Sequence, residues 1–186
     1  MRRVNFRRSE VRYASGMGAS RVIAHLLPPD AGVPNHPRWP LLVYPGALAP
    51  TGDLAGALEA LFARHGWPPA WRNGVHPFHH YHSNAHEALG IYSGEVTVRF
   101  GGEAGVDLVA RPGDILVLPA GTGHKKLAAR GALGVVGAYP AGQHADMHTP
   151  RASRDGRDAQ AVARVPLPAS DPVYGPAGPL FDHWHG

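Results

Sequence analysis

Between residues 87 and 139 the chain falls into short apolar runs separated by glycine, and this rhythm restricts its fold more than any other feature. Glu87–Tyr92, Glu95–Phe100, Val106–Ala110, Ile115–Leu118 and Leu133–Tyr139 each have strand length and strand composition. Turn formers stand between them at Ser93-Gly94, Gly101-Gly102, Pro112-Gly113 and Gly121-Thr122-Gly123. Short strands at such regular spacing predict an antiparallel sandwich or barrel. The 24 glycines and 19 prolines among 186 residues suit many turns better than long helices. A chain of this length makes one domain with an extension or two, and it can bury a core without staples.

Ahead of this region the signals are mixed. Residues 20–26 read as a short strand, residues 27–40 as a loop, and Leu41–Tyr44 as a strand ending at Pro45-Gly46. Asp53 to His65 is the best helix: Thr51 or Asp53 can cap it, Leu54, Leu58, Leu61 and Phe62 form its apolar stripe, and Gly66 stops it. Behind the barrel region, residues 140–164 carry charges of both signs and read as a flexible surface segment. Residues 165–184 are too rich in proline for regular structure and are expected to lie extended against the barrel. The expected organisation is an arm at 1–19, strands and a helix at 20–73, a barrel core at 74–140, and a polar and proline-rich extension at 141–186.

Charge and cysteine content exclude several classes. Five arginines and one glutamate give the first twelve residues a charge of +4, which equals the whole formal net charge, so residues 13–186 are neutral. The basic balance therefore describes a solvated arm, and Met17 is a second candidate start that would remove it. Basic residues do not alternate with aromatics, so a nucleic-acid partner is not expected. No apolar run approaches the length of a membrane span and no apolar stretch follows the arm, so the expectation is a soluble, cytoplasmic protein. With no cysteine, thiolate metal sites, disulfides and thiol nucleophiles are excluded, and a transition-metal site must use histidine and carboxylate.

Histidine is the chemically informative residue. Five of the thirteen, at 76, 79, 80, 82 and 86, fall within eleven positions. On a strand, His80 and His82 point to the same side. Glu87 follows after a short bend, and His124 would arrive from a neighbouring strand beyond a glycine-rich turn. Three imidazoles and a carboxylate suit one divalent transition metal, Fe, Mn, Ni, Zn, Cu or Co, and leave coordination positions open.

Two longer patterns frame these residues. The first is Gly74, five residues, His80-x-His82, four residues, Glu87, six residues, Gly94; the second is Gly113, five residues, Pro119-x-Gly121, two residues, His124. Together they resemble the two signature motifs of the cupin superfamily, with Ala128 where the second motif usually ends in Asn. A wider resemblance takes in 40–46, 66–67, 71–74, 79–87, 165–168 and 171–175, and is similar to the YjlB-type bacterial cupins. The resemblance implies an all-β fold, a double-stranded β-helix (cupin jelly-roll barrel) with a short N-terminal helix. It implies a metal held in the barrel mouth by His80, His82, Glu87 and His124, and a homodimer.

Strand alternation assigns the neighbours. Lys126 shares the face of His124 and is the candidate catalytic cation, with a solvated strand end as its alternative; Lys125 is the weaker candidate. His79 and Tyr81 should point outward, Leu89 and Ile91 should share the face of Glu87, and Tyr92 should lie opposite. His86 should also face away, yet it is the substitute ligand if the bend shifts register by one. Trp71 and Arg72 are expected at the pocket rim, and His183-Trp184-His185 at a docked C-terminus more than at a metal clip. The expected function is a metal-dependent enzyme of dioxygenase, isomerase or lyase type acting on a small polar metabolite. The alternatives are a non-catalytic cupin that binds or senses a small ligand, and a metal-free barrel using the histidines for acid–base sugar chemistry.

Overall fold

A computed structural model of the chain describes residues 22–150 and 155–185, so the basic arm at 1–19, with Met17, lies outside the described residues. The strands are β1 (Ile23–His25), β2 (Leu41–Tyr44), β3 (Pro69–Asn73), β4 (Glu87–Phe100), β5 (Val106–Ala110), β6 (Ile115–Leu118) and β7 (His124–Ala138). The helices are α1 (Leu54–Arg64), α2 (Asp155–Val162) and α3 (Leu180–His183). All strand pairs are antiparallel, in the order β1-β2-β6-β4-β7-β3, with β5 also on β4.

The long pair β4–β7 is the spine, registered from Ala88 opposite Ala138 to Phe100 opposite His124. The first half of β4 has β6 on its other edge, and the second half has β5. One strand thus serves two sheets, which is how the sheet curls into a jelly-roll barrel. The two halves of β4 were expected as separate strands with a turn at Ser93-Gly94. They form one strand, and those residues are a bulge, with register irregularities on both sides of Ser93 and Gly94 at φ +69°. A side chain at Gly94 would press on the Ala132 carbonyl, 2.9 Å from its Cβ. β7 likewise begins at His124, nine residues before the expected Leu133.

Both faces of the sheet are covered, which explains why β2 and β6 are apolar throughout. Leu41, Val43, Leu89, Ile91, Leu116 and Leu118 fill the barrel interior. Leu42, Tyr44, Ala88, Ile115, Val117 and Val136 face outward, where Leu54, Leu58, Leu61 and Phe62 of α1 pack on them. Burying Leu58 and Phe62 fully contributes about 1.5–3 kcal/mol each. α1 starts at Asp53, whose Oδ1 accepts the Gly56 N–H at 3.0 Å, so Asp53 and not Thr51 is the cap.

Within 140–150 the polar segment is tied to the barrel: Gln143 Oε1 accepts the His86 N–H at 2.9 Å, and the Asp146 N–H donates to Asn84 Oδ1 at 2.9 Å. α2 adds Asp158, which accepts the Tyr81 hydroxyl at 2.8 Å, and buries Val162. The proline-rich extension is docked as expected, apart from the single turn of α3. Asp171 is buried and accepts the Tyr44 hydroxyl at 2.7 Å and the N–H groups of Val173, Tyr174 and Leu180. Trp184 is buried, donates to the Pro40 carbonyl at 2.8 Å and stacks on Trp39, so 183–185 is a docked terminus. Among the described residues no helix is long and apolar enough to cross a membrane.

That docked terminus closes an aromatic stack with a pH dependence of its own. His36 is buried and stacks on Trp39 at 4.3 Å, and its Nδ1 accepts the Trp39 N–H at 2.9 Å. Burial, aided by Arg38, pushes the His36 pKa down from 6.5 to about 4. The unfolded chain therefore binds this proton first, and stability present above pH 6.5 is lost as the pH falls through about 4. Urea unfolding at pH 7.5 and 4.5 should show wild type losing about 1–3 kcal/mol more than His36→Asn, which keeps an acceptor but does not titrate.

Candidate metal centre

The residues before β4 act as a strand. His80 exchanges backbone hydrogen bonds with His124 at 3.2 and 2.9 Å, and Tyr81 does the same with His148 at 3.0 and 2.9 Å. Alternation then sends His80 and His82 inward, while the Tyr81 hydroxyl turns to Asp158. His124 opens β7 and Glu87 opens β4, so the two long strands of the spine each deliver one side chain to the same end of the barrel.

The four side chains expected from sequence meet there. Glu87 Oε2 lies 3.4 Å from His82 Nε2 and 3.4 Å from His124 Nε2. One ring nitrogen from each of His80, His82 and His124 lies within 4.8 Å of the others. All four residues are buried. The opposite ring nitrogens are each set against a carbonyl: His80 Nδ1 on Phe78 at 3.3 Å, His124 Nδ1 on Thr122 at 3.0 Å, and His82 Nδ1 on Asp146. A carbonyl can only accept, so each Nδ1 carries a proton, and Nε2 is the nitrogen each ring turns inward for a ligand.

Glu87 is held from one side only. Its Oε1 accepts the Tyr139 hydroxyl at 3.0 Å, and the Tyr139 oxygen accepts the Trp71 indole N–H at 3.0 Å. Gly137 makes this chain possible, because a Cβ there would overlap the Trp71 ring. Oε2 is buried with no hydrogen-bond partner. Burial alone would raise the Glu87 pKa, but the imidazoles of His82, His124 and His80 outweigh it and hold the carboxyl ionised. Burial pushes His80 and His124 well down, towards the neutral form that ligates. Burial acts the same way on His82, but the Glu87 carboxylate overrides it and draws the imidazole up. An orphaned carboxylate oxygen facing three imidazoles with Nε2 turned inward is a donor set that fits a divalent transition metal.

A cavity of about 240 Å³ opens from this cluster between Trp71, Val75 and Leu89 on one side and Ala145, Asp146 and Met147 on the other. Trp71 lines it as expected, whereas Arg72 turns to α1 and forms a bidentate pair with Glu59 at 2.5 and 2.6 Å. Leu89 and Ile91 share the inner face with Glu87, and Tyr92 packs on the outer cluster. His86 faces away, with Nδ1 accepting the Ala120 N–H at 2.9 Å and Nε2 donating to the Pro166 carbonyl at 3.1 Å. His79 is buried with neither ring nitrogen hydrogen-bonded. Lys126 stands opposite Val98 on the inner face, half-buried, but is not among the residues lining the cavity; Lys125 pairs with Glu103.

Two contributors were not visible in the sequence. Tyr139 faces Glu87 only because bulges shift the β4–β7 register, which breaks the parity count from His124. Asp146 lies in the polar segment; it presents its backbone carbonyl to His82, and its carboxylate accepts the Ser83 N–H at 2.6 Å. Loss of an orienting hydrogen bond of this kind costs metal affinity about 10–100-fold. Tyr139→Phe should therefore weaken zinc binding, measured by competition with a chromophoric chelator, by about tenfold or more. Unchanged affinity would mean that Tyr139 does not orient Glu87.

No family model matches the chain. It is 42% identical over 160 residues to the uncharacterized protein YjlB of Bacillus subtilis (strain 168), covering 86% of this chain and 94% of that one. Among solved structures it is similar to procruciferin, an 11S globulin from Brassica napus, at 17% identity and a TM-score of 0.36, over 52% of this chain and 30% of the other. It is also similar to a DUF861 family protein from Thermotoga maritima at 26% identity and a TM-score of 0.30, over 44% and 86% of the two chains. At TM-scores this low neither likeness bears on function. At 42% identity over 86% of this chain and nearly the whole of the Bacillus protein, the chain belongs to the YjlB family.

Proposed function

We propose that this protein is a metal-dependent enzyme, of dioxygenase, isomerase or lyase type, acting on a small molecule that enters the cavity beside the histidine cluster. One observation carries the reading. His80, His82 and His124 turn Nε2 to the space beside Glu87 Oε2, and the Nδ1 of each is set against a backbone carbonyl. His86, which faces away from the cluster, has both ring nitrogens hydrogen-bonded instead.

A divalent ion bound there would supply Lewis acidity and a template for substrate oxygens, or dioxygen activation if it is Fe(II). The chain's own residues do the rest. Glu87 supplies negative charge to the ion, and Tyr139 fixes the direction of that carboxylate. Trp71, Val75 and Leu89 keep water from the far wall. His76 stands at the exposed mouth with its ring edge-on to His80 at 4.9 Å.

Metal analysis of protein purified without added metal tests the centre. Wild type should carry close to one equivalent of a first-row metal, and His82→Ala about a tenth of that or less. Trace metal in both proteins would remove the metal reading and leave the histidines to acid–base chemistry.

A further inference from the structure

The walls of the cavity restrict what can bind beside the ion. Among the described residues that line it there is no lysine and no arginine. Of the basic side chains nearby, Arg72 is committed to Glu59, Lys125 to Glu103 and Arg99 to Asp107 at 2.7 Å, while Lys126 stands half-buried on the inner face outside the cavity lining. The other charged groups at the cavity are acidic. Glu87 sits beside the ion, and at the mouth Asp146 is held by Ser83 and by His148 Nε2 at 2.9 Å.

A divalent ion and Glu87 together leave one positive charge, before Asp146 is counted. A dicarboxylate or a phosphate ester would reverse that sign against walls that carry no lysine or arginine, a desolvation cost of several kcal/mol per ion. A neutral or singly charged ligand leaves the centre balanced. Size adds a second limit. The cavity measures about 240 Å³, room for a small molecule only. Trp71, Val75, Leu89 and Met147 give that body an apolar surround.

From these walls we infer that the cavity takes a small molecule with an apolar body, carrying at most one negative charge. Small dicarboxylates and phosphate esters are not its ligands. This inference rests on the metal reading above, and it narrows the small polar metabolite expected from the sequence to a molecule polar at one end only.

The test compares catechol, a neutral vicinal diol on one ring, with malonate, a dianion that chelates just as readily. Zinc-loaded full-length protein is used, because zinc does not oxidise catechol, and the zinc content of each sample is measured alongside calorimetric titration. Catechol should bind about tenfold tighter than malonate or better. Met147→Lys places a cation at the mouth on a side chain that is 54% exposed, so the variant should fold and hold zinc as wild type does. It should raise malonate affinity by about fivefold or more. Equal or tighter binding of malonate by zinc-loaded wild type overturns the ligand class while the metal centre stands. So does malonate binding that ignores the new lysine. A sample that retains no zinc overturns the metal centre itself, and the ligand class falls with it.

Discussion

The structure turns on a carboxylate placed where a carboxylate should not be. Glu87 is buried at the start of the barrel's central strand, ionised, with one oxygen held by Tyr139 and the other without a hydrogen bond. A lone buried charge of this kind costs several kcal/mol unless a cation answers it. The three imidazoles that turn Nε2 towards it are a donor set that a metal ion shared with the carboxylate would use. Almost every nearby feature serves that arrangement. Gly137 makes room for Trp71, Trp71 holds Tyr139, and Tyr139 aims the carboxylate.

The barrel supplies the ligands from elements far apart in sequence, and its rigidity comes from two-sided burial. β4 and β7 run the length of the fold, so the start of one and the start of the other can deliver Glu87 and His124 to a common end. α1 and the docked C-terminal extension seal the outer face, with Trp184 and Asp171 as the buried anchors. The segment around 143–148 then covers the histidine strand from outside. It is the only one of these layers built from polar residues, and Gln143 and Asp146 tie it to the backbone of His86 and Ser83 and to the His82 ring.

Local signals in the sequence were enough for β2, β5, β6, α1 and the four ligand candidates. Each depends on residues close together or on side chains with one plausible job: an apolar four-residue run, a capped helical stripe, a histidine pair at strand spacing. What was missed depends on partners. Ser93-Gly94 has turn chemistry, yet the sheet absorbs it as a bulge because β7 continues past it. Trp71 and Arg72 lie on β3, a strand whose pairing with β7 is invisible until β7 is placed. Tyr139 and Asp146 act on ligands 52 and 64 residues away in sequence, through contacts that no local pattern encodes. The polarity of 140–150 and 155–164 suggests solvation, yet Gln143, Asp146 and Asp158 hydrogen-bond to the barrel, which no local pattern encodes.

The central claim is that three imidazoles and one carboxylate converge on one ion. X-ray absorption of the zinc-loaded protein tests it directly, since the imidazole ring gives a distinct multiple-scattering pattern. The account predicts three imidazoles and at least one oxygen at about 2.0–2.2 Å around each zinc. A spectrum with one imidazole or none, or one unchanged when His124 is replaced by alanine, would contradict it.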